Sequence, residues 1–320
     1  MNQHLTAVFL YDEGTCASLR LHEVARAVQT ITGLGVEVRP EFVRYWVEQG
    51  RSAPEGLSAV GKRLVEGHPE ALARALVGAR VHDPLRRFKP ERQPTPVEIA
   101  AERRALERPG QTSVGILYDG VVVQWLMAEL GNWGQAPSLQ NGDCTKAPGV
   151  WAPRGLSPCW REGACPQFPP LHAVVTGRLL GTYSEEDHRW HAHTILCGEP
   201  CLISTSGLVQ APARPREYYQ GQGLATARLA PREVVEAELE QRMAGRMLIK
   251  DDPRITEVVV GYVLQAVAFQ ATGSAFCAAP TCRLYNARRQ EELIRAQLSA
   301  EAGLCPQHQA LFAALRGAAE

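Results

Sequence analysis

The order of apolar and polar positions predicts alternating strands and helices from the start of the chain. Residues 7–11 form a short apolar run typical of a buried strand, and residues 18–31 repeat apolar positions with the period of an amphipathic helix. Gly33 ends that helix, and residues 36–38 begin a second strand. A β-α-β unit of this kind predicts two parallel strands.

The same patterns predict the elements that follow, and their alternation favours an α/β fold, with α+β as the alternative. Residues 201–206 follow a proline and carry small hydroxyl side chains, which favours a strand at the edge of a sheet. Helices are expected at 40–48, 57–66, 69–76, 95–107, 121–130, 231–250 and 290–298, and strands at 113–118, 171–183, 190–197 and 201–206.

Residues 253–272 predict the longest helix, which Asp252 is placed to cap and Gly273 to end. Its apolar residues go nearly all the way round, and a helix of that kind belongs in a protein core or in a membrane. Arg254 and Glu257 help to keep the apolar run below membrane-spanning length. We therefore expect this helix to lie in the core.

A metal-ligand pattern follows the long helix directly. Cys277-x4-Cys282 and Cys305-x2-His308 are two close pairs separated by 22 residues. Thiolate and imidazole ligands suit a tetrahedral Zn²⁺ ion, and four protein ligands close a structural site. The alternatives are four unrelated residues or two disulfides.

Composition narrows the class of protein. The chain has 320 residues, of which 45% are hydrophobic and 21% charged, and its formal net charge is zero. This is typical of a globular protein with one large or two ordinary domains, and it shows no overall basic field for nucleic acid. Residues 1–10 lack the features of a signal peptide and no membrane span is expected, so we predict a cytoplasmic protein.

Three cysteines outside the metal pattern lie in a long stretch rich in Gly, Pro and Trp, at 131–170. Cys159-x5-Cys165 is one candidate pair for a second metal, but no second close pair completes it. The stretch is predicted to be an insertion, and it leaves open the roles of Cys144, Cys159 and Cys165.

A further metal hypothesis rests on three histidines. His191 and His193 point to one face of a predicted strand because side chains alternate along it, and His188 lies just before them. With Glu185 or Glu186 as a general base, they would make a relocated hydrolytic zinc site. The simpler interpretation is an ordinary strand face.

Arg214, Arg216 and Tyr218 are candidates for ligand binding. Prolines restrict their segment, so the two arginines are placed to receive a carboxylate or a phosphate. An internal ion pair that anchors the loop is the alternative.

The cysteine region resembles a known family. Gly273, Cys277-x4-Cys282-Arg-Leu-Tyr-Asn and Leu304-Cys305-x2-His308 are similar to the C-terminal part of archaemetzincins, which are zincin-fold metallopeptidase-like proteins. Residues 203–219 and 251–308 also resemble an uncharacterised prokaryotic metallopeptidase-like group. The resemblance implies a second, structural zinc site in which His308 replaces the family's final cysteine.

The catalytic motif of that family is missing here. The family carries HExxHxxGxxH on the helix before the cysteines, and the three histidine positions hold Ala266, Gln270 and Phe276 in this chain. Val267 occupies the glutamate position. A hydrolytic zinc needs two ligands one helical turn apart with a neighbouring glutamate, so this helix is not expected to hold one.

Together these observations predict a zincin-like mixed sheet with a long buried helix. Residues 1–270 would form the main domain and 271–320 a Cys3His zinc module packed on it. We expect a metallopeptidase-like protein that binds a peptide or protein instead of cleaving it. The alternatives are the relocated hydrolase and a nucleic-acid-binding zinc module, which zero net charge disfavours and which would use Arg283, Arg288, Arg289 and Arg295.

Overall fold

The structure is a computed structural model. It describes Leu5 and residues 7–14, 16–52, 59–81, 93–107, 116–131, 170–227 and 231–319. The predicted 131–170 insertion, with Cys144, Cys159 and Cys165, lies almost wholly outside the described residues.

Two sheets organise these residues. The first has the strand order β2-β1-β5-β9-β8 and the second the order β3-β4-β6-β7. The strands are β1 (Ala7–Glu13), β2 (Gly35–Arg39), β3 (Arg80–Val81), β4 (Leu117–Asp119), β5 (Leu171–Thr176), β6 (Leu179–Ser184), β7 (Arg189–His193), β8 (Ile195–Leu196) and β9 (Cys201–Ser204).

Helices fill the connections and cover the sheets. They are α1 (Leu21–Thr32), α2 (Phe42–Ser52), α3 (Ala59–Glu66), α4 (Glu70–Gly78), α5 (Pro96–Glu107), α6 (Gly120–Gly131), α7 (Thr205–Gln210), α8 (Arg216–Ala227), α9 (Arg232–Arg242), α10 (Ile255–Thr272), α11 (Gln290–Leu298) and α12 (Pro306–Ala319).

The predicted β-α-β start is confirmed. β1 pairs in parallel with β2 from Ala7 opposite Gly35 to Tyr11 opposite Arg39. On its other side β1 pairs in parallel with β5. Mixed parallel and antiparallel pairing in both sheets confirms the predicted α/β class with a mixed sheet.

The long helix α10 lies in the core, as expected from its sequence. By length and hydropathy alone it would be able to cross a membrane, but 72% of it is buried inside the protein. It ends at Gly273, which takes the left-handed conformation with φ 77°. Its start differs from the prediction, because Arg254 is the capping position and the Asp252 carboxylate accepts the Arg254 backbone N–H at 3.0 Å.

The prediction of an edge strand at 201–206 is wrong. β9 ends at Ser204 and lies inside the first sheet, between β5 and β8. Residues 205–210 are helical instead, because the Ser204 side chain accepts the Gly207 backbone N–H at 2.8 Å and caps α7. The short β8 covers the edge that the sequence pattern assigned to β9.

Other element predictions need smaller corrections. Residues 171–183 form two strands in different sheets, because the chain crosses from β5 to β6 at Gly177 and Arg178. The predicted helix at 231–250 ends at Arg242. The helix at 290–298 is confirmed, whereas α8 and α12 were not predicted.

Candidate metal centre and neighbouring polar clusters

The four predicted ligands come together. One ligand atom from each of Cys277, Cys282, Cys305 and His308 lies within 4.8 Å of all the others. The Cys277 and Cys305 sulfurs are 3.7 Å apart, and the Cys282 sulfur is 3.6 Å from His308 Nδ1. No other group of three or more His, Cys, Asp or Glu residues converges in this way within the described parts of the chain.

Backbone hydrogen bonds shape the loop that carries the first pair. The Cys277 N–H donates to the Leu284 carbonyl at 2.8 Å, and the Cys282 N–H donates to the Ala279 carbonyl at 3.0 Å. The Ala279 N–H lies 3.4 Å from the Cys277 sulfur. The loop therefore folds back on itself and turns both thiols to the same side.

The second pair sits at the first turn of α12. The Cys305 carbonyl accepts the N–H groups of His308 and Gln309 at 3.0 and 2.9 Å, which places the cysteine at the helix entrance. Three residues along a helix return to nearly the same face, so His308 Nδ1 comes within 3.0 Å of the Cys305 sulfur. This local geometry explains why x2 spacing suits a ligand pair.

The pKa values of Cys282, Cys305 and His308 are shifted, and not all in the same direction. Burial raises the pKa of the Cys282 thiol to about 11. Burial also acts to raise the pKa of Cys305, but the His308 backbone N–H and hydrogen bonds from Cys277 and Cys282 lower it to below its usual value. Burial lowers the pKa of His308, which keeps the imidazole neutral and ready to act as a ligand.

Two of the three ligand distances match a tetrahedral zinc ion. With Zn–S of about 2.3 Å and Zn–N of about 2.0 Å, tetrahedral angles place two sulfurs about 3.8 Å apart and a sulfur about 3.5 Å from a nitrogen. The observed 3.7 and 3.6 Å agree with these two values, whereas the 3.0 Å between the Cys305 sulfur and His308 Nδ1 is shorter than the sulfur–nitrogen value. All the cysteines in the described residues are free thiols, so the alternative of two disulfides is not supported.

The segment that carries the metal-ligand cluster packs into the same hydrophobic core as α10. Leu284, Leu293 and Phe312 from the C-terminal segment are buried in the same apolar cluster as Val263 of α10. Close approach is made possible by Gly261, where a Cβ would lie 1.9 Å from the Gln297 side-chain oxygen. The division into domains at residue 270 stays a prediction.

The four positions that correspond to the three histidines and the glutamate of the archaemetzincin motif hold apolar or amide side chains here. Ala266 and Val267 are buried in the core, and Phe276 lies beyond the helix with 43% of its surface exposed. Gln270 donates to the Glu199 carboxylate at 3.3 Å. None of these four positions in the chain supplies an imidazole or a thiolate.

The three histidines of the relocated site do not converge. His191 Nε2 lies 2.8 Å from the Asp187 carboxylate, whereas His193 Nε2 lies 2.7 Å from the Thr182 hydroxyl. Burial, and to a lesser degree His191, lowers the pKa of His193. His188 occupies a turn with φ 53° before β7, and Glu186 is exposed beside it. The predicted strand is confirmed, but a three-ligand site on it gains no support.

Arg214, Arg216 and Tyr218 do lie near one another. The Arg214 guanidinium stacks over the Tyr218 ring at 4.4 Å, and Tyr218 is buried. Arg216 begins α8 and is exposed. The ion pairs that anchor this region are made instead by Arg246, which bridges the carboxylates of Glu217 and Glu291.

A buried charge cluster was not predicted. The Arg178 side chain, 2% exposed, contacts the Glu102 carboxylate at 2.6 Å and the Glu13 carboxylate at 3.8 Å. Tyr118 donates to Glu102 at 3.0 Å. Burial raises the pKa of Glu13; burial also acts to raise that of Glu102, but Arg178 reverses the shift and lowers it.

This cluster forms where β1 ends and where the chain leaves β5. The residues are far apart in the sequence, and each alone resembles an ordinary surface charge. Only the parallel pairing of β1 with β5 brings Glu13 towards Arg178. A charged residue just after an apolar strand was the one available signal, and it is a weak one.

Two family models match separate parts of the chain. Residues 166–315 match a family described as "Probable metallopeptidase family (DUF6775)". Residues 9–133 match a family of unknown function (DUF7001). Each match spans less than half of the 320 residues. Residues 166–315 are therefore metallopeptidase-like, and the match of residues 9–133 indicates no activity.

One solved structure shows a distant similarity. It is a crystal structure of a zinc-dependent peptidase from Methanocorpusculum labreanum (strain Z), with 11% sequence identity and a TM-score of 0.36. The comparison covers 96% of this chain and 99% of that one. No curated protein matches the chain.

Proposed function

We propose that the chain is an archaemetzincin-like, zincin-like protein that holds a structural zinc ion and binds a peptide or protein without cleaving it. The observation that carries this proposal is the contrast between the assembled Cys3His cluster and the long helix without ligands. The match of residues 166–315 to a probable metallopeptidase family supports a relationship to metallopeptidases. The side chains of α10 argue against zinc-dependent hydrolysis at that helix.

The chemistry of the cluster supports a structural role for the metal. Cys277, Cys282, Cys305 and His308 would fill all four positions of a tetrahedral zinc ion and leave none for a water nucleophile. Zinc bound there would supply cross-linking between the 277–282 loop and the start of α12. Because the same residues pack on α10, this cross-link stabilises the core.

A peptide can join the edge of a sheet as an added strand, or charged side chains can hold it. Strand addition at residues 201–206 is not available, because β9 is paired on both sides. We place the peptide contact at Arg214 and Arg216 instead. Neither guanidinium forms an ion pair within the described residues, and stacking on Tyr218 holds Arg214 in place for a carboxylate.

Metal analysis tests the zinc assignment. We expect one zinc per chain, retained after the triple change His188→Ala, His191→Ala and His193→Ala. Casein should not be cleaved. A second, chelator-labile zinc together with casein cleavage would overturn the non-hydrolytic proposal and favour the relocated site.

Peptide binding is tested with casein-derived peptides bearing a free or an amidated C-terminus. Arg214→Ala/Arg216→Ala should weaken binding of the free-carboxylate peptides by at least about tenfold, since a charge-assisted contact contributes about 1.5–3 kcal/mol. The control is Arg44→Ala, which removes an exposed arginine paired with Glu48. Equal binding of both peptide sets by wild type would contradict the carboxylate role.

Nucleic-acid binding is the remaining alternative. Arg283 is already paired with Glu257 at 2.8 Å, which reduces the free positive charge near the cluster. Retention of DNA or RNA at low salt that weakens as salt rises would favour this alternative. We expect no retention.

A further inference from the structure

Two cysteines away from the metal cluster face each other across a hairpin. β8 and β9 pair antiparallel, with Ile195 opposite Ile203 and Leu196 opposite Leu202. Continuing the register by one step places Cys197 opposite Cys201. Directly opposed residues in an antiparallel pair have Cα atoms about 4.5–5.5 Å apart, which lies within the range that a disulfide bridges.

Packing shows that both thiols are on the same face of the hairpin. Ile195, Cys197, Cys201 and Ile203 contact the apolar cluster around α10. Leu196 and Leu202, which alternate with them, contact the other core cluster on the opposite side of the sheet. The Cys197 thiol, ahead of burial, raises the pKa of Cys201, in agreement with this register.

The turn between the cysteines is held in place from two sides. The Gln124 side chain donates to the Pro200 carbonyl at 2.7 Å and to the Leu196 carbonyl at 3.4 Å. On the other side, Gln270 of α10 donates to Glu199. Gly198 has φ 152°, and a Cβ there would lie 2.6 Å from the Gln124 side chain. The two thiols are therefore positioned before any reaction.

We propose that Cys197 and Cys201 form a reversible dithiol–disulfide pair that reacts with small-molecule disulfides of the glutathione class. The Cys197 thiolate attacks one sulfur of the external disulfide, forming a mixed disulfide and releasing one thiolate. Cys201 then loses its proton to solvent and attacks the Cys197 sulfur, which releases the second thiolate. Two protein thiols are oxidised and one external disulfide is reduced to two thiols.

Exposure sets the order of these steps. Cys201 is 1% exposed, whereas Cys197 is partly accessible. Cys197 is thus the attacking residue and Cys201 the resolving one. The disulfide would close a five-residue turn beside α10 and make the β8–β9 hairpin more rigid.

Digestion with trypsin places both cysteines in a single peptide whose mass can be measured. Trypsin should release residues 190–216 as one peptide, because the arginine at 214 precedes a proline, and this peptide contains no cysteine other than Cys197 and Cys201. The full-length reduced protein is equilibrated with oxidised and reduced glutathione in different ratios, quenched with acid and an alkylating reagent, and analysed by mass spectrometry. After this treatment the dithiol form carries two alkyl groups and the disulfide form carries none, so the two forms differ in mass by two alkyl groups.

We expect the folded protein to form this disulfide at an oxidised-to-reduced ratio at least about tenfold lower than the urea-unfolded chain, because the fold holds the thiols together. The Cys201→Ser variant should accumulate glutathione on Cys197, and Cys16→Ser should leave the midpoint unchanged. A folded-state midpoint equal to or higher than the unfolded one, or a lasting glutathione adduct on Cys197 in wild type, overturns the proposal.

Discussion

Two buried polar clusters differ in how their buried charges are compensated. Around Arg178, one guanidinium lies between two carboxylates, and burial raises the pKa of one of them, Glu13. Around Cys282, three thiols and an imidazole crowd together with no positive side chain among them. Bringing several ligand groups this close is favourable only when a cation compensates the thiolates. The first cluster is held by side chains of the protein alone, and we expect the second to depend on a bound cation.

Loss of the ion should have the largest effect. We expect Cys277→Ser, or removal of zinc by a chelator, to unfold the C-terminal segment. Structural zinc binding contributes about 10 kcal/mol or more, which is comparable with the whole stability of a domain. Thermal unfolding monitored by circular dichroism measures the change, and Cys16→Ser serves as the cysteine control. An unchanged melting temperature would contradict a structural metal.

Removal of the arginine should have the next largest effect. Arg178→Met leaves Glu13 and Glu102 buried without their cation, which costs about 3–5 kcal/mol. Urea unfolding of the variant measures this loss. The matched control is Arg242→Met, whose ion pair with Glu238 is exposed and should contribute less than about 1 kcal/mol. Equal losses in the two variants would show that the buried cluster is not specially stabilising.

A buried histidine near β1 should produce a pH effect. Burial, helped by Arg39, lowers the pKa of His172 to about 2, and the Tyr11 hydroxyl lies 2.8 Å from its Nδ1. The unfolded chain takes up a proton below pH of about 6.5, whereas the folded protein does not. Stability should therefore fall as the pH falls from about 6.5, by about 1.4 kcal/mol per unit from this residue.

Stability curves at pH 7, 6 and 5 measure this slope. His172→Gln should remove the component of the slope that comes from this residue. His22→Gln, on α1, provides the control. If the His172 variant keeps the wild-type slope, the histidine titrates normally in the folded protein.

The smallest effect concerns the join between the long helix and the metal cluster. Gly273→Ala should cost about 1–2 kcal/mol, because its φ of 77° is unfavourable for a residue with a Cβ, although no atom lies within 4 Å of that position. Gly223→Ala, within α8 and equally open, should instead stabilise by about 1 kcal/mol. A gain in both variants would show that the helix end is set by the metal loop alone.

The two clusters also show what the sequence can predict. Cys277-x4-Cys282 and Cys305-x2-His308 have short spacings that local backbone geometry turns into close contact, so the convergence of these four side chains was predictable. Helices with strong caps or periodic faces, such as α5 and α11, were also predictable. The capping box of α5 is present as expected, with the Thr95 N–H donating to Glu98 at 3.0 Å.

Features that depend on long-range pairing were not predictable in the same way. Whether residues 201–204 lie at an edge depends on β8 and β5, which no local pattern reveals. The charge cluster needs β1, α5 and the β5–β6 connection at once. The Arg214 segment was interpreted as a restrained loop because of its prolines, yet α8 starts within it at Arg216.

In both sheets, the two regions that the two families match meet at a pair of neighbouring strands. In the first sheet β1, from the N-terminal region, lies beside β5 of the C-terminal region, and in the second sheet β4 lies beside β6. Separating the two regions would expose the paired edges of β1 and β5 in the first sheet and of β4 and β6 in the second. The backbone amides at these edges would then lack partners. We therefore expect the two halves to be insoluble when produced separately and to recover a native state when synthesised together in one cell.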